Sequence, residues 1–158
     1  YGREELMNNP NVFIGIDPGK SGGVCATTGS ISVCGKCPNT IQDMVKLLKT
    51  MSELGTRPMC IIEAVHSMPK QGVVSTFTFG TNYGQWLGIL STLGIPYIQV
   101  SPQKWMKTFG VMPKVKKERK NHLKHLAQQR YPSLSITLAT CDAVLLAHYC
   151  FVTYKLNH

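Results

Sequence analysis

Apolar residues fall in short unbroken runs in the first part of the chain and at helical spacing later. Val12-Phe13-Ile14-Gly15-Ile16 predicts a buried strand, stopped and turned by Asp17-Pro18-Gly19. The segments from Gly22 to Thr28 and from Ile31 to Cys34 read as two further strands joined at Gly29-Ser30, a turn of hairpin size, so the first three elements form a meander. Met59-Cys60-Ile61-Ile62 is too short for a helix and ends at Glu63, which predicts a strand in the middle of the sheet. Tyr97 to Val100 is the fifth strand. Between these, Thr40 offers an N-cap for a helix with Ile41, Met44, Val45, Leu47, Leu48, Met51 and Leu54 on its apolar stripe, ended by Gly55. A second helix runs from Val73 to Leu93, weakened by Gly80, Gly84 and Gly88. A short turn spans Trp105 to Phe109. Helical spacing resumes around Leu123, Leu126 and Ala127, and again from Cys141 to Tyr154. The predicted order is β-β-β-α-β-α-β-α-α. It implies one α/β domain over residues 11–158 after a flexible tail over 1–10, with a mixed five-stranded sheet (a meander plus two parallel strands) flanked by helices.

A chain of 158 residues with 43% apolar content is long enough for one real core and too short for two ordinary domains. No run approaches the roughly 18 to 20 apolar residues of a membrane span, so no membrane partner is expected. The six cysteines sit inside core-like segments, which fits free thiols in a reducing, intracellular compartment. Cys34 and Cys37 form a C-x-x-C without a second pair at zinc-ligand spacing. An upstream leader removed before Tyr1 would make that compartment organellar, mitochondrial or plastid. The charge is strongly uneven along the chain. From Lys104 to Arg130, nine basic residues stand against Glu118 alone and carry eight of the nine units of net positive charge. A solvated helix face is the plain alternative, but a patch holding nearly the whole net charge points to phosphates and hence nucleic acid.

Of eight carboxylates, Glu4, Glu5, Asp43, Glu53 and Glu118 have ordinary surface explanations. Asp17 and Glu63 end hydrophobic strands, and Asp142 precedes Ala143-Val144-Leu145-Leu146-Ala147, where an unpaired charge is costly. Singly, each has a plain reading: turn former, strand-end acid, helix N-cap. Jointly, adjacent parallel strands bring Asp17 and Glu63 side by side, and a helix packed over them delivers Asp142. Three clustered carboxylates repel unless hard divalent cations lie among them, the arrangement of two-metal phosphodiester hydrolysis.

The same residues carry a family resemblance. Ile14-Gly15-Ile16-Asp17-Pro18-Gly19, Cys60-Ile61-Ile62-Glu63-Ala64-Val65-His66, Val100-Ser101-Pro102-Gln103-Lys104-Trp105 and Cys141-Asp142-Ala143-Val144-Leu145-Leu146-Ala147 resemble, in order over about residues 12 to 150, the motifs of RuvC-type Holliday-junction resolvases. The resemblance implies an RNase H-like fold and a magnesium-dependent endonuclease of DNA recombination and repair. Asp17, Glu63 and Asp142 would hold two Mg²⁺ per site, with Mn²⁺ as substitute, and Asp17 would bridge them. Lys116 or Lys117, with Lys107 as a second candidate, would face the scissile phosphate, plain phosphate positioning being the alternative. His66, Lys70, Lys104, Lys107, Lys114, Arg119, Lys120 and Lys124 would contact branched DNA. A homodimer is implied as well, and Gly80, Gly84 and Gly88 beside Tyr83 and Trp86 offer a face for it. One feature departs from the pattern: Thr137-Leu138-Ala139-Thr140-Cys141 offers no acid or histidine where the family carries a fourth ligand. Three carboxylates then suffice, or His148 further along the helix joins them, or activity is impaired. The competing functions are another RNase H-like nuclease, for instance one cutting RNA–DNA hybrids, and a non-cleaving structure-specific DNA-binding protein.

Overall fold

A computed structural model describes residues 9–64 and 72–155. His66 and Lys70 lie outside these residues. The strands are β1 (Val12–Asp17), β2 (Gly23–Thr27), β3 (Ser32–Lys36), β4 (Pro58–Glu63) and β5 (Tyr97–Val100), and the helices are α1 (Ile41–Ser52), α2 (Val73–Thr92), α3 (Pro102–Lys107), α4 (Lys116–Arg130) and α5 (Cys141–Tyr154). They form one five-stranded sheet in the order β3-β2-β1-β4-β5. The meander is antiparallel, whereas β4 runs parallel to both β1 and β5.

Strand alternation divides the core into two layers. Val12, Ile14 and Ile16 of β1, with Cys60 and Ile62 of β4, face α1 and α2 and pack on Met44, Leu48, Trp86 and Leu90. The intervening residues Phe13, Met59 and Ile61 face α5, with Trp105, Leu123 and Ala127 completing that layer. Residues with odd numbers in β1 and β4 therefore point toward α5, and Asp17 and Glu63 belong to that set. Gly15 shares this parity. A Cβ there would lie 2.4 Å from the Ala143 carbonyl oxygen and 2.4 Å from the Ala147 nitrogen. The missing side chain thus lets α5 rest backbone on backbone against β1.

Thr40 caps α1 as expected, its hydroxyl accepting from the Asp43 amide at 3.1 Å. Two elements differ from the sequence reading. The turn at Trp105 is a short helix, started by Ser101 and Pro102. The basic stretch is itself helical from Lys116, well before the apolar spacing resumes at Leu123. Its charges hide the period: the helix has only Leu123 and Ala127 buried. Asn9, at the end of the expected tail, accepts a hydrogen bond from Arg57 at 2.6 Å. No helix among the described residues is long and apolar enough to cross a membrane.

Candidate metal centre and its basic cleft

Asp17 ends β1 and Glu63 ends β4, one residue beyond the Ile16–Ile62 pair of the parallel ladder. Asp142 is the second residue of α5, beside the Ala143 carbonyl that rests on Gly15. Each of the three offers an oxygen, and these oxygens all lie within 4.8 Å of one another. Pro18 and Gly19 then turn the chain out of the sheet, Gly19 at φ 106°, with its amide donating to Asn82 Oδ1 at 2.8 Å. This bond pins the loop after Asp17 to α2. The Cys37 thiol donates to the Asp17 carbonyl from the other side at 3.3 Å.

The group is electrostatically strained. Burial, then the Asp142 and Glu63 carboxylates, push the Asp17 pKa well above its ordinary value. Burial also pushes Glu63 up to about 7, against the opposing hydrogen bond from Trp105. That bond, Trp105 Nε1 to Glu63 Oε2 at 2.7 Å, fixes one carboxylate oxygen. Asp142 is only 8% exposed. The compensating charge is Lys120, whose Nζ lies 3.0 Å from Asp142 Oδ2 and 4.0 Å from Asp17 Oδ2. Burial opposes its charge, but Asp142 foremost outweighs this and raises the Lys120 pKa. Three hard oxygen donors sharing too little positive charge suit a divalent ion such as Mg²⁺ or Mn²⁺. The Asp-Glu-Asp group could hold one.

The acids open into a cleft of about 480 Å³ that Lys20, Phe79, Lys116, Arg119 and Lys120 also line. A larger hollow of about 800 Å³ adjoins it through Pro102, Met106 and Arg119, with Lys107 and Lys114 on its wall. The Arg119 guanidinium donates to the Pro113 and Lys114 carbonyls, holding the loop before α4.

The expected residues are therefore distributed unevenly. Asp17, Glu63 and Asp142 meet. Lys116 borders the acids' cleft, while the exposed Lys117 is not among its lining residues. Lys104 and Lys124 lie outside both hollows. Among the described residues, the cation in contact with the acids is Lys120, for which the sequence predicts DNA contact alone. Its signal was present: Lys120, Leu123 and Ala127 recur at i, i+3 and i+7, so Lys120 continues the buried stripe of α4. His148 is not with the acids. Its Nδ1 bonds the Tyr131 hydroxyl at 2.9 Å and its ring packs near Phe109 and Phe151. Six residues after Asp142, it is turned about 240° around the helix. Trp86 is a correction too: fully buried under the sheet, it offers nothing to a dimer face, and half-buried Tyr83 bonds Gln99. Gly80, Gly84 and Gly88 do face open space. All six cysteines are free, and burial raises both thiols of the C-x-x-C, Cys37 to about 12, which disfavours the reactive thiolate.

A mixed sheet of this order, with acids at the ends of two adjacent parallel strands and at the head of the helix lying over them, is the RNase H-like architecture. Within it, the fold is that of the RuvC-type resolvases. The chain is similar to Thermus thermophilus RuvC, with a TM-score of 0.60 and 14% identity over 92% of this chain and 96% of that one. It is similar also to T. thermophilus RuvC in complex with Holliday junction substrate, with a TM-score of 0.59 and 13% identity over 91% and 95% of the two chains. No protein-family profile and no curated protein matches the sequence.

Proposed function

We propose that this chain is a metal-dependent, structure-specific endodeoxyribonuclease that cuts four-way DNA junctions by phosphodiester hydrolysis. One observation carries the reading: three converging carboxylates lie at the floor of a cleft walled by Lys20, Lys116, Arg119 and Lys120, in a RuvC-type fold. A structural relative is a RuvC in complex with Holliday junction substrate, which favours branched DNA over an RNA–DNA hybrid as the ligand.

Asp17, Glu63 and Asp142 would hold Mg²⁺. When bound, such an ion lowers the pKa of a coordinated water and stabilises charge on the phosphoryl oxygens. The remaining work falls to the chain. Trp105 keeps one oxygen of Glu63 engaged and so directs the other into the cleft. Lys116 and Arg119 attract the phosphate backbone and position it over the acids. Lys104, Lys107, Lys114 and Lys124 extend the positive surface along the flanking DNA. A two-fold pairing through the open Gly80, Gly84 and Gly88 face of α2, beside exposed Val73 (86%) and Phe77 (75%), would present two such sites to the symmetric strands of a junction.

The test uses labelled four-way junction, RNA–DNA hybrid and plain duplex, each with Mg²⁺ and with EDTA. Paired symmetric nicks in the junction alone, abolished by EDTA and by Asp17→Asn, are the expected result. Asp17→Asn should still bind the junction, since affinity comes from the basic surface. Cleavage of the hybrid instead, or binding with no cleavage under any metal, refutes the reading in favour of one of the two competing functions.

A further inference from the structure

We propose that Lys120 takes the place of a second metal ion: the site accepts one divalent cation per chain, and the Lys120 ammonium between Asp142 and Asp17 is the other positive centre. The inference rests on the metal-dependent reading above. It departs from the two ions expected from the sequence.

The ligand supply comes first. A second ion about 3.5 to 4 Å from the first would have to share the carboxylates that hold it. Among the described residues, Asp17, Glu63 and Asp142 form the sole group of three or more His, Cys, Asp or Glu side chains that could hold an ion. The turn before α5 adds none. The Thr140 hydroxyl is engaged by the Thr137 amide at 3.0 Å, and the Cys141 thiol is fully buried, donating to the Leu138 carbonyl and to Asp142 Oδ1. Glu63 has one oxygen already committed to Trp105.

Position is the second ground. Asp142 and Asp17 are the pair that a second ion would draw on, and Lys120 Nζ stands between them at 3.0 and 4.0 Å. The lysine is not a long surface side chain that has drifted in. It leaves α4 on the side of buried Leu123 and Ala127. Its side chain is about one third exposed, at 32%.

Charge gives the third. Three carboxylates, one divalent ion and one ammonium sum to neutrality before the phosphate arrives. A second divalent ion would leave a large positive excess at close range in a partly buried site, unless Lys120 withdrew from Asp142 into solvent.

The test counts Mn²⁺ on the full chain by calorimetry and by the electron paramagnetic resonance of the ion. It is run alone and with a non-cleavable junction whose own Mn²⁺ binding is subtracted. The wild-type chain should bind one Mn²⁺ without the spin coupling of an ion pair. Lys120→Met should bind two, the second at least about tenfold tighter than any second ion on wild type, and Lys120→Arg should return to one. Two coupled ions on the wild-type chain overturn the proposal whatever the variants do. So does an unchanged count in both Lys120→Met and Lys120→Gln, with folding of each verified by its thermal transition. Asp17→Asn separates the two readings. If wild type binds no Mn²⁺, or Asp17→Asn binds as wild type does, the metal-dependent reading fails and this one with it. Asp17-dependent binding of two ions refutes only the role of Lys120.

Discussion

Replacing Glu63 by Gln should make the metal-free protein more stable at alkaline pH, at the expense of metal binding. Burial raises the Glu63 pKa from its ordinary 4.5 to about 7. An acid with a raised folded-state pKa keeps its proton in the native state after the unfolded chain has lost it. The penalty is therefore absent below about pH 4.5, grows as the pH climbs and is complete above about pH 7. At 1.36 kcal/mol for each pH unit, the ionised carboxylate costs the native state up to about 3 kcal/mol. The amide carries no charge, and its carbonyl still accepts from Trp105 Nε1, so the 2.7 Å bond has a partner in the variant. In a domain of this size about 3 kcal/mol corresponds to a Tm gain of up to roughly 10 °C. The assay is thermal unfolding of both proteins in EDTA at about pH 5 and about pH 8, then at the higher pH with Mn²⁺. Glu63→Gln should melt higher at about pH 8, with a much smaller gain at about pH 5. Mn²⁺ should raise the wild-type Tm more than that of the variant, since it binds the native carboxylates. Equal melting of the two proteins at about pH 8 without metal, or a gain that does not depend on pH, would refute the account of the site as a strained anionic group.

Three further outcomes follow from the same geometry. Trp105→Phe removes the donor that holds Glu63 down, so the pH at which Mn²⁺ affinity is half-developed should move upward, read from binding isotherms between about pH 6 and about pH 9; an unmoved profile would show that the bond does not tune the acid. Lys116→Ala and Lys124→Ala should each flatten the dependence of junction affinity on salt by about one phosphate contact, a slope change near 0.9, measured by fluorescence anisotropy. Gly15→Ala forces a methyl group to 2.4 Å from two backbone atoms of α5, and should lower stability by about 3 kcal/mol in urea unfolding and weaken Mn²⁺ binding with it.

The strands were legible because their apolar runs end at residues that cannot continue them. Asp17 and Glu63 could be paired in advance for the same reason: β1 and β4 are both central, so an acid at the end of each must lie on the face its parity dictates. What the sequence hid was the inward face of α4. In a run as basic as Lys116 to Lys124, the lysine that turns inward differs from its neighbours only by its spacing from Leu123 and Ala127, two weak apolar markers. The reading of α2 failed in the opposite way. Its apolar and glycine residues surround the helix on all sides, so the pattern leaves core and dimer face unseparated among its aromatics, and the structure puts Trp86 wholly in the core. His148 lies near Asp142 along the chain. Around the helix axis the two point apart.

The bare Cα of Gly15 has a mechanical consequence. Where side chains separate a helix from a sheet, a change of rotamer lets the two surfaces breathe, and the gap between them varies in small steps. Here the stop is peptide group against peptide group, with Asp17 two residues along one surface and Asp142 one residue along the other. The span between these two acids is thus gauged by a rigid contact, indifferent to substitutions on the outer side of α5 or at the rim of the cleft. Drift can accumulate over most of the molecule while the gauge stays fixed. At position 15 there is no gradual path, because the smallest possible addition lifts the helix and opens the carboxylates together.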